Sequence, residues 1–258
     1  MKATLYSPTG EKKSQVELPK VFETPIREDI VSKYHEAFKW AAKQPYSSAP
    51  RAGLRQSAAG TISHKRHDWK GHYGKGISRA PRKTMWRRGT QFYWVGATVP
   101  GARGGRKAHA PKGYIENKKI NRKEVKLAFS SAFASTAHLE LIKQRYSTME
   151  KISEAPFVIE SLPQKTKSLN GVISKIFSNH ESLAFKEKKV RAGKGKSRGR
   201  KYKSNAGVLI VVAKDENKTF KGFNIVPVAE VKISDLYPLG RLTLYTQKAL
   251  LELGGKTK

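Results

Sequence analysis

Cysteine is absent from this sequence, which excludes disulfides, thiolate catalysis, iron–sulfur clusters and cysteine-type zinc sites and fits a reducing compartment. Nowhere does the chain approach the roughly 20 uninterrupted apolar residues that a membrane span requires. Its start, Met1-Lys2-Ala3-Thr4, has no apolar signal core, so a cytoplasmic protein is expected. Asn217-Lys218-Thr219 matches a glycosylation sequon that, without a secretory route, goes unmodified. No internal period marks a solenoid. Acids are scarce beside bases: 20 Asp and Glu face 52 Lys and Arg in 258 residues, a net charge of +32. An excess of that size must meet a polyanion.

The charge is unevenly spread. Pro45 to Gly113 holds 15 Lys/Arg against the single acid Asp68, together with 11 of the 21 glycines. Leu54, Ile62, Ile77, Phe92, Val95 and Val99 are too few to offset the conformational entropy of so long a stretch. This segment is expected to need a partner before it orders. A second run, Lys186 to Lys203, has ten Lys/Arg and one acid in 18 residues, with Gly193, Gly195 and Gly199 spaced through it. The expected organisation is a globular body, 1–44 and 114–258, with 45–113 inserted as an extended basic loop that binds the polyanion and 186–203 as a second basic loop within the body.

That body has ordinary periodicity. Thr4-Leu5-Tyr6 and Val16-Glu17-Leu18 flank a turn at Pro8-Thr9-Gly10 and predict a hairpin. Thr24-Pro25 offers an N-cap and first helical residue, followed by Ile30, Tyr34, Ala37, Phe38 and Ala41 at helical spacing, with Trp40 expected in the core. Asn121 with Glu124 resembles a capping box ahead of one long helix from about Arg122 to Arg145. Phe157-Val158-Ile159, the continuously apolar Gly207–Val212, Asn224-Ile225-Val226 and Leu242–Tyr245 predict strands. Helices are expected over Leu169–Phe177, near Ser234–Leu236 and from Gln247 to Leu253. Strands alternating with helices imply an α/β layered body around a largely parallel sheet.

Catalytic patterns fail on inspection. Gly195-Lys196-Ser197 echoes the end of a phosphate-binding loop, but Val190 stands where its first glycine belongs. Gly74-Lys75-Gly76 and Gly193-Lys194-Gly195 each lack the third glycine of a dinucleotide fingerprint. His64, His67, Asp68 and His72 crowd one stretch without the apolar scaffold that would hold ligand geometry, and contacts to bases or phosphate explain them better. No catalytic residue, metal or cofactor is expected. What remains is binding. Arg82-Lys83-Thr84-Met85-Trp86-Arg87-Arg88-Gly89-Thr90-Gln91-Phe92-Tyr93-Trp94 interleaves guanidinium groups for phosphates with rings for unpaired bases. Trp69, Trp86 and Trp94 are the stacking candidates. The competing explanation is a small apolar cluster under the loop.

Arg191-Ala192-Gly193-Lys194-Gly195-Lys196-Ser197-Arg198-Gly199-Arg200 resembles a long signature of the large ribosomal subunit protein four family, archaeal and eukaryotic type. Gln44-Pro45-Tyr46, Gly74-Lys75-Gly76 ahead of Arg79-Ala80-Pro81-Arg82, Arg103-Gly104-Gly105-Arg106 before Ala110-Pro111, and Gly240-Arg241-Leu242 through Tyr245-Thr246 are similar to the same family in the same order. The resemblance implies a structural constituent of the large ribosomal subunit, a non-enzyme that binds large-subunit ribosomal RNA and contacts neighbouring large-subunit ribosomal proteins. It also implies a loop that helps shape the nascent-peptide exit tunnel, with the nascent peptide near the loop tip.

Carried over by residue, Arg79, Arg82, Arg103 and Arg106 would be stem contacts to phosphate, while Arg191, Lys194, Lys196, Arg198 and Arg200 would hold a second RNA region. Arg87, Arg88 and Lys107 join them as RNA-binding candidates. Between Lys83 and Thr98 the chain departs from the family's Gly- and Ser-rich stretch, carrying Met85, Trp86, Phe92, Tyr93 and Trp94 instead. The tip is expected near Lys65 to Arg79. Arms of about 34 residues have an extended ceiling on the order of 110 Å, ample for reaching into folded RNA. Two other readings stay open on the sequence alone: an RNA-processing enzyme using His64–His72, and a general nucleic-acid-compacting protein.

Overall fold

The computed structural model describes residues 1–56, 58, 66–67, 73–74, 76, 78–89, 91–113, 118–146, 154–178, 180–216 and 219–255, apart from the side chains of Thr84, Arg87 and Phe92. The chain forms two compact units, one of Met1–Ala41 with Asn117–Lys258 and one of Ala42–Glu116.

In the first unit, β1 (Lys2–Tyr6) and β2 (Lys12–Glu17) form the expected hairpin, followed by α1 (Glu28–Ala41). The second unit contributes β3 (Arg82–Arg88) and β4 (Gln91–Gly96). The first unit then resumes with α2 (Arg122–Ser135), α3 (Leu139–Arg145), β5 (Phe157–Ile159), α4 (Thr166–Ile176) and α5 (Glu181–Ala184). It is completed by β6 (Lys188–Val190), β7 (Tyr202–Ser204), β8 (Leu209–Val212), β9 (Asn224–Pro227), α6 (Ile233–Leu236), β10 (Thr243–Thr246) and α7 (Gln247–Gly255). Six strands make one sheet in the order β2-β1-β5-β10-β8-β9, and every pairing in it is parallel except β1 with β2.

The apolar run at Val208–Val212 becomes β8 because both faces of the sheet are covered, so every position can leave water. Alternation then sorts its side chains. Leu209 and Val211 join Val158 and Tyr245 against Val31 of α1, Ala128 and Phe133 of α2, Leu236 of α6 and Leu250 of α7. Ile210 and Val212 join Phe157, Ile159 and Leu244 against Ile142 of α3 and Leu169, Val172 and Ile173 of α4. Each such aliphatic side chain contributes about 1.5–3 kcal/mol by leaving water. The body is a three-layer α/β sandwich with a largely parallel sheet, as the periodicity implies.

Three expectations need correction. The helix expected over Arg122–Arg145 is two. Thr136 Oγ1 bonds back to the Phe133 carbonyl at 2.7 Å and Ser135 Oγ to that of Ala132 at 2.7 Å, while the amides of Thr136, Ala137 and His138 donate to carbonyls three residues back in 3-10 fashion. Side-chain competition of this kind ends α2 before His138 introduces α3. Helix α1 starts at Glu28 rather than beside Thr24-Pro25, because Thr24 closes a 3-10 turn over Lys20–Glu23 and the Pro25 carbonyl accepts Ser131 Oγ at 3.2 Å. Trp40 is half-buried rather than core, with Lys118 Nζ 5.6 Å from its ring centre. Glu124 does accept the Asn121 amide at 3.3 Å, and it also pairs with Lys33 at 2.9 Å.

Candidate nucleic-acid interface

In the body, β6 and β7 form a separate antiparallel hairpin between α5 and β8, with Lys188 opposite Ser204, Lys189 opposite Lys203 and Val190 opposite Tyr202. Asn205 fixes its base: Oδ1 accepts the Glu187 amide at 2.7 Å, and Nδ2 donates to the Ser182 carbonyl at 2.9 Å and the Phe185 carbonyl at 2.7 Å. Beyond the strands, the Arg191 amide meets the Lys201 carbonyl at 2.8 Å, and a 3-10 turn runs over Lys194–Arg198. Gly193 (φ 74°) and Gly199 (φ 75°) bracket that turn in conformations that favour glycine.

All ten Lys/Arg from Lys186 to Lys203 are exposed. Glu187, the segment's one acid, pairs with Lys189 at 3.0 Å; among the described residues the other nine make no ion pair. Arg191, Lys194, Lys196, Arg198 and Arg200 thus present their charges together at and around one turn. Lys188 Nζ stands 4.2 Å and Lys201 Nζ 5.6 Å from the centre of the Tyr202 ring, which is 46% exposed. The arrangement offers charge-assisted donors and a π face on a fixed stalk. Sequence reasoning missed Tyr202 and the Asn205 anchor. The pairing of β6 with β7 carries both, and only a hairpin assignment at Lys188–Ser204 would have found them.

In the second unit, β3 and β4 pair antiparallel around Gly89, whose φ is 57°. Lys83 Nζ donates to Gln56 Oε1 at 3.1 Å, and Gln56 Nε2 donates in turn to the Gly53 and Gly104 carbonyls at 3.0 and 3.3 Å. At Gly53 (φ +77°) any Cβ would lie 2.4 Å from the Gly105 and Arg106 backbone, so this packing requires glycine. Arg79, Arg88, Arg103, Arg106 and Lys107 are exposed, and Arg82 is half-buried with Nη1 on the Ser78 carbonyl at 3.0 Å. Arg87 lies on β3 with its side chain outside the described atoms, and Trp69 falls outside the described residues. Trp86 is 51% exposed and Trp94 half-buried.

His64, Asp68 and His72 also lie outside the described residues, as does most of the expected tip at Lys65–Arg79; His67 is exposed. Among the described residues no three acid or histidine side chains gather as a metal site would need, and no described helix is long and apolar enough to cross a membrane. Arg241, in the Gly240-Arg241-Leu242 motif, is only 5% exposed. Its guanidinium donates to the Asp235 and Ala206 carbonyls, so it braces the body rather than facing outward.

An α/β sandwich bearing exposed, acid-poor cationic hairpins defines a class of strongly basic proteins whose surface chemistry suits polyanions. Comparison with known proteins narrows the class. The model of the Ribosomal protein L4/L1 family matches residues 16–256. The chain is 37% identical to the large ribosomal subunit protein uL4 of Nanoarchaeum equitans, over 97% of this chain and 96% of that protein. It is 34% identical to the uL4 of Haloquadratum walsbyi over 99% and 100%, and 35% identical to that of Methanocaldococcus jannaschii over 98% of each. The chain belongs to the ribosomal protein L4/L1 family.

Proposed function

We propose that this protein is a structural constituent of the large ribosomal subunit in the cytoplasm, where it binds large-subunit ribosomal RNA and makes or breaks no bond. The observation that carries the reading is the Lys186–Lys203 hairpin, with ten exposed cations and one acid on a stalk held by Asn205. A cation array on a fixed stalk gains affinity from RNA by releasing the counterions condensed on phosphate. Arg191, Lys194, Lys196, Arg198 and Arg200 meet one RNA region. Arg79, Arg82, Arg87, Arg88, Arg103, Arg106 and Lys107 meet another, from the 45–113 insertion. That insertion orders within RNA, and its tip, near Lys65–Arg79, lies along the path of the nascent peptide beside neighbouring ribosomal proteins. Family membership over nearly the whole chain supports the same reading.

Sedimentation of the tagged protein after a high-salt wash tests it. An integral constituent stays with large subunits, whereas a general nucleic-acid compactor, held by counterion release alone, leaves them. Release into the supernatant overturns the proposal.

A further inference from the structure

The β3–β4 hairpin carries an aromatic pair that its charge does not explain. Trp86 and Tyr93 are directly opposite each other across the two strands, with ring centres 6.1 Å apart and planes within 10° of parallel. They are 51% and 52% exposed. A register shift between Thr84 and Trp86 leaves Met85 without a partner, 57% exposed. This bulge decides which rings share a face. Trp86 and Tyr93 lie on one face with Arg88 and Gln91, two residues along each strand, while Trp94, opposite Thr84, belongs to the other. A free hairpin gains nothing from holding two large rings in water.

Charge identifies what covers them. Arg88, on the same face, is exposed, and the surrounding Pro45–Gly113 stretch has 15 Lys/Arg to one acid. An apolar protein surface would leave that charge unanswered. A nucleotide answers both halves at once, since its base has a π face and its phosphate a negative charge, one of each per residue of strand. We propose that Trp86 and Tyr93 form a stacking platform for an unpaired RNA base, with Arg88 taking an adjacent phosphate. This deepens the proposed RNA-binding function and rests on it. Of the stacking candidates expected from the sequence it takes up Trp86 and adds Tyr93, its cross-strand neighbour.

The test titrates the full-length protein with a labelled single-stranded oligoadenylate and with the same strand in duplex with oligouridylate. Trp86→Leu/Tyr93→Leu, which keeps apolar bulk but removes the π faces, weakens single-strand binding about tenfold and leaves duplex binding and the salt slope unchanged. Trp86→Phe/Tyr93→Phe restores single-strand binding, which separates stacking from damage to the hairpin. Arg88→Gln weakens both ligands and lowers the salt slope by about one. Equal loss on single strand and duplex, no loss, or failure of the phenylalanine pair to rescue overturns the platform. So does ultraviolet cross-linking in intact subunits that joins residues 86 and 93 to a protein rather than to a nucleotide. The broader function fails differently, when the wild-type chain does not remain with large subunits whatever the oligonucleotide titrations give.

Discussion

The hydroxyls of Thr136 and Tyr245 lie 2.9 Å apart inside the body, joining the turn that ends α2 to the central strand β10. Tyr245 is wholly buried, edge-on to Phe22 at 5.5 Å, and burial pushes its phenol up to about 12 from an ordinary 10.0. A folded-state pKa above the unfolded one means that the unfolded chain loses this proton first. The stabilisation is therefore complete below pH 10 and is lost as pH rises toward 12, at up to about 1.4 kcal/mol per pH unit. Tyr245→Phe, which costs about 1 kcal/mol at neutral pH, should fall less steeply than wild type in urea melts taken from pH 9 to 11. Parallel curves would show that Tyr245 does not carry this dependence.

Asn205 spends both its amide donors and its carbonyl on backbone groups of Ser182, Phe185 and Glu187. Asn205→Ala strands these partners and should cost about 1–2 kcal/mol in denaturant unfolding. The amide of Glu187 should exchange with deuterium many times faster while those of β8 keep their protection. Asn205→Asp preserves the acceptor for the Glu187 amide but sets a carboxylate against two carbonyls, so it should destabilise without exposing that amide. If neither variant alters exchange at Glu187, the hairpin is anchored elsewhere.

The body's layers were legible in the sequence because burial on both sheet faces writes itself as uninterrupted apolar runs such as Val208–Val212. The break at Thr136 was not, since the apolar pattern of Val125, Ala128, Ala132 and Leu139 continues through it, and nothing in the order of residues says that the Ser135 and Thr136 hydroxyls turn back onto helix carbonyls. The same limit applies to the interface. Composition located the cations of Lys186–Lys203 and the aromatics of Met85–Trp94, because scarcity of acids needs no three-dimensional information. It could not show that Trp86 pairs with Tyr93 rather than Trp94, since one bulged residue at Met85 reverses the faces. Nor could it show that Arg241 turns inward, because its partners are carbonyls that every sequence contains.

Gly240 sits at φ +77°, where a Cβ would lie 2.5 Å from the Leu141 carbonyl oxygen, and its amide donates to Ser135 Oγ at 3.3 Å. Gly199 has nearly the same φ, +75°, but open space around it. The pair separates conformational strain from steric clash. Gly199→Ala should cost about 1 kcal/mol, whereas Gly240→Ala should cost on the order of 3 kcal/mol because backbone must move as well. Equal losses in chemical denaturation would mean that Leu141 yields easily.

Lys189 and Lys203 stand directly opposite each other on β6 and β7, a placement that opposes strand pairing in the free protein. Glu187 relieves it in part through its 3.0 Å contact with Lys189. A phosphate between the strands would relieve it fully, so the same two lysines weaken the empty hairpin and strengthen the occupied one. Lys203→Gln should leave the free protein's Tm unchanged or slightly raised while its binding to a ribosomal RNA fragment weakens. The plot of log affinity against log salt concentration should lose about one unit of slope, the signature of one phosphate contact removed. Ser204→Ala, one position along the strand, should change neither quantity. A lower Tm with an unchanged salt slope would assign Lys203 to the hairpin's own stability instead of to RNA.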